Sequence, residues 1–426
     1  MTNALGKLAC CLVAVGLLAG CGTRREPAPG ETTRVVLWNF GGVPGHKAWV
    51  QKAVDAYNAS HTDIEIELLF PDWNTQRESL ITTTISGEGP DLVLVHHKYA
   101  VEFGELGGLR ALESFPDFPQ IQELILPNVW EQVAYRGQHY GVPVTMLPFI
   151  LAVNKEILAA NGLQVPRTWE DMKAIGAVLK AKGINAFTMP GGVNLDTAYR
   201  FLPLLYMAGG RVLNEDWTRA AFNGPAGLAA LTFLADMMRE GYLSSASAAY
   251  AFDENAAHWC SGKAALSIEG PWWQDTVLGN YSFDLSKLAL APVPGPSQPP
   301  EPNPPRTLLD VPMVSITGYS PVPQAAWTVL KALFVEDAVW RQPDPAMGGI
   351  PTQKAAYAPG VQTRYIDLEV LAAAGRNGLG WPGHPGITEI QRAIADAVNM
   401  TLAGVTTPRE ALDAAAQEVD EILNDY

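Results

Sequence analysis

The chain is short of cysteine. Only Cys10, Cys11, Cys21 and Cys260 occur in 426 residues. Three of them fall within the first 21 positions, so a single one remains in the body and no disulfide can form within it. The chain has no C-x-x-C pair, no H-E-x-x-H, no G-x-S-x-G and no P-loop. Their absence removes the thiol-redox, zinc-protease, esterase-elbow and nucleotide-hydrolase readings. Histidine is scarce as well, at seven residues, and His96-His97 is the only adjacent pair. Neighbours on a strand point to opposite faces, so this pair does not predict a shared metal. No metal and no cofactor are expected. Basic residues are also in deficit, 29 against 44 acidic, for a formal charge of −15. Losing Lys7 with a leader leaves 28 against 44, or −16. A nucleic-acid binder shows the reverse balance, so no such partner is expected. Beyond residue 20 no stretch is apolar enough to span a bilayer, and the body is expected to be soluble.

What is present begins with an address. Lys7 precedes an uncharged apolar stretch from Leu8 to Gly20, the pattern of a secretory signal peptide. It ends Leu18-Ala19-Gly20-Cys21, which resembles the lipobox of bacterial lipoproteins. That resemblance implies that Cys21 becomes the lipidated first residue of the mature protein. Residues 22–32 contain Pro27 and Pro29 and no periodicity, as a tether would. The expected layout is a signal peptide over 1–20 and a lipidated tether over 21–32. The remaining body of about 400 residues exceeds one typical domain and predicts two. Cys260, beside Trp259, reads as a small buried apolar residue.

Periodicity then predicts the elements. Arg34–Phe40 is a buried strand. Trp49, Val50, Ala53, Val54 and Tyr57 recur at helical spacing. Ile64–Phe70 alternates, Leu80–Ile85 forms a second helix ended by Gly87, and Leu92–Val95 is a third strand. This β-α-β-α-β order predicts a parallel sheet with right-handed crossovers. Further on, Arg136-Gly137-Gln138 turns between two strand-like pieces. Phe149–Val153 reads as a buried strand followed by a short helix closed at Asn161-Gly162. Thr168 with Asp171, and Thr407-Pro408 with Glu410, are capping boxes that open helices. The proline-rich stretch 291–305 is expected to be an exposed loop of the first lobe.

The order of several segments carries a resemblance. Ser86–Leu92 (SGEGPDL), Tyr140–Pro143 (YGVP), Asn154-Lys155-Glu156, Gly162-Leu163, Pro166–Asp171 (PRTWED), Phe222–Gly227 (FNGPAG) and Ser261–Leu266 (SGKAAL) follow one another. Together they resemble the extracellular solute-binding proteins that serve ABC importers of sugars, from about Val35 to Leu423. The resemblance implies an α/β, two-lobed periplasmic-binding-protein fold of type II, hinged, with the ligand cleft between the lobes. The first lobe is expected over 33–142 plus 289–337, and the second over 143–288 plus 338–426. It further implies a monomeric receptor outside the cytoplasm, held to the membrane only by its lipid. Such a receptor captures an oligosaccharide or glycoside and hands it to ABC permease subunits.

Candidate site residues follow from sugar chemistry. A sugar ring offers apolar C–H faces to aromatic planes and a hydroxyl edge to Asp, Asn, Glu and Arg. Ligands of open α/β sheets sit beyond the carboxyl ends of the strands. The candidates are therefore Asn39 and Phe40, His96 and His97, Trp272 and Trp273, and Asp310, together with Asn194, Asp196, Gly349 and Trp381. Each has a plainer reading: Asn39 as a turn cap, His96 as a satisfied surface residue, either tryptophan as core. The chain departs from the family in having Leu147 where disaccharide binders carry an aspartate. It has Trp381 in place of an arginine, and Leu309-Asp310 in place of a glycine pair. The cleft is thus expected to be more apolar than is usual. Two other readings stand beside this one. One is a binder of a glycerol phosphodiester, which would want Arg or Lys in the cleft where the matching positions offer few. The other is a secreted glycoside-processing enzyme with a carboxylate pair. No catalytic residue is assigned.

Overall fold

The computed structural model describes residues 30–40, 44–72, 75–298, 306–336 and 343–425. The leader, Cys21 and the proline-rich residues 299–305 lie outside the described residues. No helix among the described residues is long and apolar enough to cross a membrane.

The chain opens with β1 (Thr33–Asn39), β2 (Ile64–Leu69) and β3 (Leu92–His96), separated by helices Pro44–Ser60 and Gln76–Ser86. Both β2 and β3 pair with β1 in parallel, as their order predicts. A hairpin of β4 (Ala134–Tyr135) and β5 (Gln138–His139) turns through Arg136 and Gly137, at φ 50° and 78°. Two left-handed residues match the twist of the flanking strands. Then β6 (Val142–Pro143), β7 (Thr145–Pro148) and β8 (Ile150–Asn154) follow almost without a break. The later strands are β9 (Asn185–Thr188), β10 (Ala264–Glu269), β11 (Leu288–Ala291), β12 (Leu309–Asp310), β13 (Pro312–Ile316) and β14 (Ile350–Pro351).

They assemble into two lobes and a strap. The first lobe holds the sheet β2-β1-β3-β13-β6 and the second holds β11-β8-β10-β9. Between them lies β12-β7-β14, with β7 in the centre and both neighbours antiparallel to it. In β8, Leu151 and Val153 face one apolar cluster while Ile150 and Ala152 face another. A strand buried on both sides reads as a continuous apolar run, which is why Phe149–Val153 was legible. Helix Trp169–Lys180 starts where predicted: Thr168 Oγ1 accepts from the Asp171 N–H at 3.1 Å, and Asp171 Oδ2 accepts from the Thr168 N–H at 3.0 Å. Thr407 and Glu410 form the same box at Pro408–Asn424.

The second boundary between lobes falls later than expected. Residues from 289 on were assigned to the first lobe, but β11 pairs with β8, with Leu290 opposite Ala152. Val293 and Leu308 belong to the second lobe's apolar cluster, and the Trp169 indole donates to the Pro294 carbonyl at 2.9 Å. The return crossing is therefore at Leu309–Asp310. Helix Leu368–Asn377 packs on the crossing strands β7 and β14 and on β11, and Asp367 just before it accepts from the Leu290 N–H at 3.2 Å.

Candidate ligand cleft

Register places one set of polar groups at the first lobe's strand ends. In β13, Pro312 sits opposite His96, the last residue of β3. Asp310, two residues earlier, therefore lies just past the end of β3, beside His96 and His97. Its Oδ1 accepts from His97 Nδ1 at 2.8 Å and from the Val311 N–H at 2.9 Å, while Oδ2 pairs with His96 Nδ1. The strand stops at His96, so the two imidazoles do not diverge as adjacent strand residues would; they converge on one carboxylate. Asp310 is 2% exposed. Burial alone would raise its pKa, but the imidazoles of His96 and His97 hold the carboxyl well below the usual range. Burial also pushes His96 below its ordinary value despite Asp310, so a neutral ring donating through Nδ1–H fits both groups. That leaves Nε2 of such a ring as an acceptor.

Lys98 follows directly. Its ammonium donates to Gln391 Oε1 across the lobes at 2.8 Å and lies 5.1 Å from the Tyr99 ring centre and 5.5 Å from that of Tyr199. Burial lowers its pKa to about 8, against the opposing pull of Asp310 and Glu102. A second bridge runs nearby: Arg77 pairs with Glu102 at 2.8 Å and reaches Glu389 of the other lobe at 3.4 Å.

The second lobe contributes aromatic rings. In the β10–β8 pair Glu269 sits opposite Ile150, which places Phe149 and the Gly270-Pro271-Trp272 turn side by side past the strand ends. Phe149 meets Trp272 edge-on at 5.3 Å and lies over Tyr199 at 5.9 Å; Tyr199 in turn meets Trp381 edge-on at 5.4 Å. A Cβ on Gly270 would come within 2.0 Å of the Trp272 ring, so only glycine lets the ring lie there. Arg200 sits beneath these rings, 5.5 Å from Phe149, 5.8 Å from Trp272 and 5.7 Å from Phe252. Its guanidinium donates to Glu269 Oε2 at 2.7 Å, Asp196 Oδ1 at 3.0 Å and the Ile268 carbonyl at 3.2 Å. Glu269 is fully buried and also accepts from Ser267 and Asn255, at 2.8 and 2.9 Å. The loop before helix Ile387–Leu402 closes on the first lobe: a Cβ on Gly380 would lie 1.9 Å from Gln132 Oε1 and 3.1 Å from His97 Nε2.

Of the predicted residues, His96, His97, Asp310, Trp272, Trp381 and Asp196 are thus brought to one boundary. Trp273 is not. It is fully buried, edge-on to Trp259 at 5.5 Å and to Phe252 at 6.1 Å, and it opens helix Trp273–Tyr281 as core. Phe40 is core too, edge-on to Trp38. Asn39 is buried against His46, whose ring bridges Asn39 Oδ1 at 3.1 Å and the Met347 carbonyl at 3.2 Å. Asn194 precedes helix Leu195–Met207 and donates to the Tyr250 carbonyl at 3.3 Å without capping that helix. Gly349 lies hard against β7, where a Cβ would meet Leu147 at 2.4 Å and the Met146 carbonyl at 2.9 Å, so it spaces the crossing. Sequence reasoning missed Lys98, Tyr199, Arg200 and Gln391. Arg200 had one local signal, Asp196 four residues earlier on the same helical face. The expected apolar character is corrected accordingly, since two buried cations, Lys98 and Arg200, and two separate buried carboxylates, Asp310 and Glu269, line this boundary. Burial raises the Cys260 thiol to about 12, so it is not a reactive thiolate.

Residues 43–340 match the family model for bacterial extracellular solute-binding proteins. The chain is 23% identical to the maltodextrin-binding protein MdxE of Bacillus subtilis (strain 168) over 299 residues, 67% of this chain and 66% of that protein. It is 25% identical to an uncharacterized lipoprotein from the oleD 5′ region of Streptomyces antibioticus over 213 residues, 47% of this chain and 44% of that protein. The chain thus spans less than two thirds of the length of either curated relative. Its fold is shared with the GacH receptor of Streptomyces glaucescens GLA.O, solved unliganded and in complex with acarbose. There the TM-score is 0.81 at 21% identity, covering 93% of this chain and 99% of that one. On the family match and the shared two-lobed architecture, the chain belongs to the bacterial extracellular solute-binding proteins.

Proposed function

We propose that the protein captures a carbohydrate between its lobes and presents the closed form to an ABC permease. The carrying observation is the opposition of two walls. Phe149, Tyr199, Trp272 and Trp381 come from the second lobe; His96, His97, Asp310 and Lys98 come from the first lobe and its return crossing. Aromatic planes suit the C–H faces of a sugar, and the imidazole, carboxylate and ammonium groups suit its hydroxyls. The similarity to the maltodextrin-binding protein MdxE supports the same class. The role is capture and not catalysis. Glu269 is engaged by Arg200, and Asp310 by two imidazoles, so neither carboxyl is left as the proton donor that glycoside hydrolysis needs. Cys21 carries the lipid that holds a monomeric body outside the cytoplasm. The test is thermal unfolding against a panel of mono-, di- and oligosaccharides, since a ligand of the folded state alone raises Tm. No shift with any sugar defeats the reading. For the anchor, Cys21→Ala is expected to give released protein or unprocessed precursor; processed, membrane-held protein would refute it.

A further inference from the structure

Trp217 is unlike the other described tryptophans. It is 45% exposed, the most exposed aromatic residue among the described residues, and it sits in the left-handed region at φ 56°. A bulky side chain there is a backbone outlier that the surroundings must impose. They do so through Asn214. Asn214 Oδ1 accepts from the Thr218 N–H at 2.8 Å and the Arg219 N–H at 3.1 Å, while its backbone carbonyl accepts from the Trp217 N–H at 3.2 Å. The loop is pinned at its base by the Leu213–Ala220 bridge and by Asp420, which accepts from the Ala220 N–H at 2.6 Å.

The ring is held against the cleft's edge. A Cβ on Gly383 would lie 3.5 and 3.7 Å from the indole atoms Cη2 and Cζ3, and 2.7 Å from Val101 Cγ2 of the first lobe. Gly383 stands two residues from Trp381, whose ring ends the buried aromatic run. Trp217 therefore rests on the loop that carries Trp381 and meets solvent at a point where both lobes approach that loop.

We propose that Trp217 is an outer platform that stacks on a sugar unit protruding from the closed cleft, so that it selects oligosaccharides over disaccharides. The assignment rests on the carbohydrate reading above. A ring fixed by its own turn loses little freedom on stacking, so the contact adds to affinity where a mobile ring would add less. Short sugars end before reaching it and gain nothing.

The experiment is calorimetric titration of the full chain with matched pairs: maltose and maltohexaose, cellobiose and cellohexaose, mannobiose and mannohexaose. Trp217→Gly removes the ring and suits the left-handed backbone, and Trp217→Asn tolerates it, so folding is retained in at least one. For the pair that the parent binds, both variants should weaken the hexasaccharide roughly three- to tenfold and leave the disaccharide within about twofold. Trp217→Phe should restore most of the difference. Equal loss for both lengths, or no loss for either, overturns the platform and leaves the carbohydrate reading standing. A parent that binds disaccharides but no hexasaccharide also overturns it. A parent that binds no pair at all defeats the carbohydrate reading and the platform together.

Discussion

The two walls of the cleft are built on opposite economies. The first lobe's wall is polar and charged: His96, His97 and Lys98, with Asp310 at its return crossing. The second lobe's wall is aromatic, and its charges are spent internally, Arg200 on Glu269 and Asp196. The contrast divides the work. A polar wall can discriminate hydroxyl patterns, because an unmatched buried donor or acceptor is costly. An aromatic wall supplies area with little discrimination. It follows that pH should act through one wall and packing mutations through the other.

The largest expected break is at Trp273. Replacing this fully buried ring with alanine should destabilise the fold by about 4 kcal/mol, read as a lower midpoint in urea, because truncation leaves a cavity. A near-normal midpoint would mean that Trp273 is not core. Next comes Glu269→Ala, which strands the Arg200 guanidinium in a buried site and should cost about 3–4 kcal/mol. Retained stability there would show that the second wall's ion pair is dispensable.

The first lobe should show itself in acid, through His46 behind the wall as well as Asp310 in it. Burial lowers His46 from 6.5 to about 4, with the Met347 carbonyl opposing. A histidine depressed in the fold contributes full stability above its unfolded value and loses it as pH falls from 6.5 through 4. The loss is on the order of 3 kcal/mol. Asp310, also depressed, adds a loss in the same direction below the ordinary carboxylate value. Denaturation midpoints between pH 7 and 4 should therefore fall, and His46→Gln should flatten most of that slope; an unchanged slope would remove His46 from the account. The smallest effect sharpens the contrast between neighbours. Trp272→Ala should fold normally and weaken sugar binding roughly tenfold, about 1.4 kcal/mol, by calorimetry. Equal behaviour of Trp272→Ala and Trp273→Ala would erase the distinction between ring wall and core.

That neighbouring pair also shows where the sequence stopped being readable. Two adjacent tryptophans after a Gly-Pro turn must point differently, but nothing local says which one turns inward. The turn continues directly into a helix whose inner face takes Trp273. The capping boxes at Thr168 and Thr407 were readable because both partners lie within three residues. The order β1-β2-β3 was readable because periodicity and crossover handedness are local rules. The second lobe boundary was not, since the alternation in Leu288–Ala291 fits an edge strand of either sheet and only pairing with β8 decides. Arg200 was missed for a similar reason: beyond the local Asp196, its buried partner Glu269 is 69 residues away. His96 and His97 misled only in direction, because they were treated as strand neighbours pointing to opposite faces, whereas β3 ends at His96 and both rings meet Asp310.

The crossing strands β12, β7 and β14 carry a mechanical consequence. Two lobes joined by one chain could swivel, and by two could still rack; three hydrogen-bonded passages side by side form a ribbon that bends easily across its face and resists torsion and in-plane shear. Opening should then be a motion with one degree of freedom. Two pairs of spectroscopic labels spanning the lobes at different heights should report distances that change in fixed proportion as ligand is added. Independent changes would mean that the ribbon twists. Residues that thin the ribbon, such as Gly349 against Leu147, are where its bending stiffness is set.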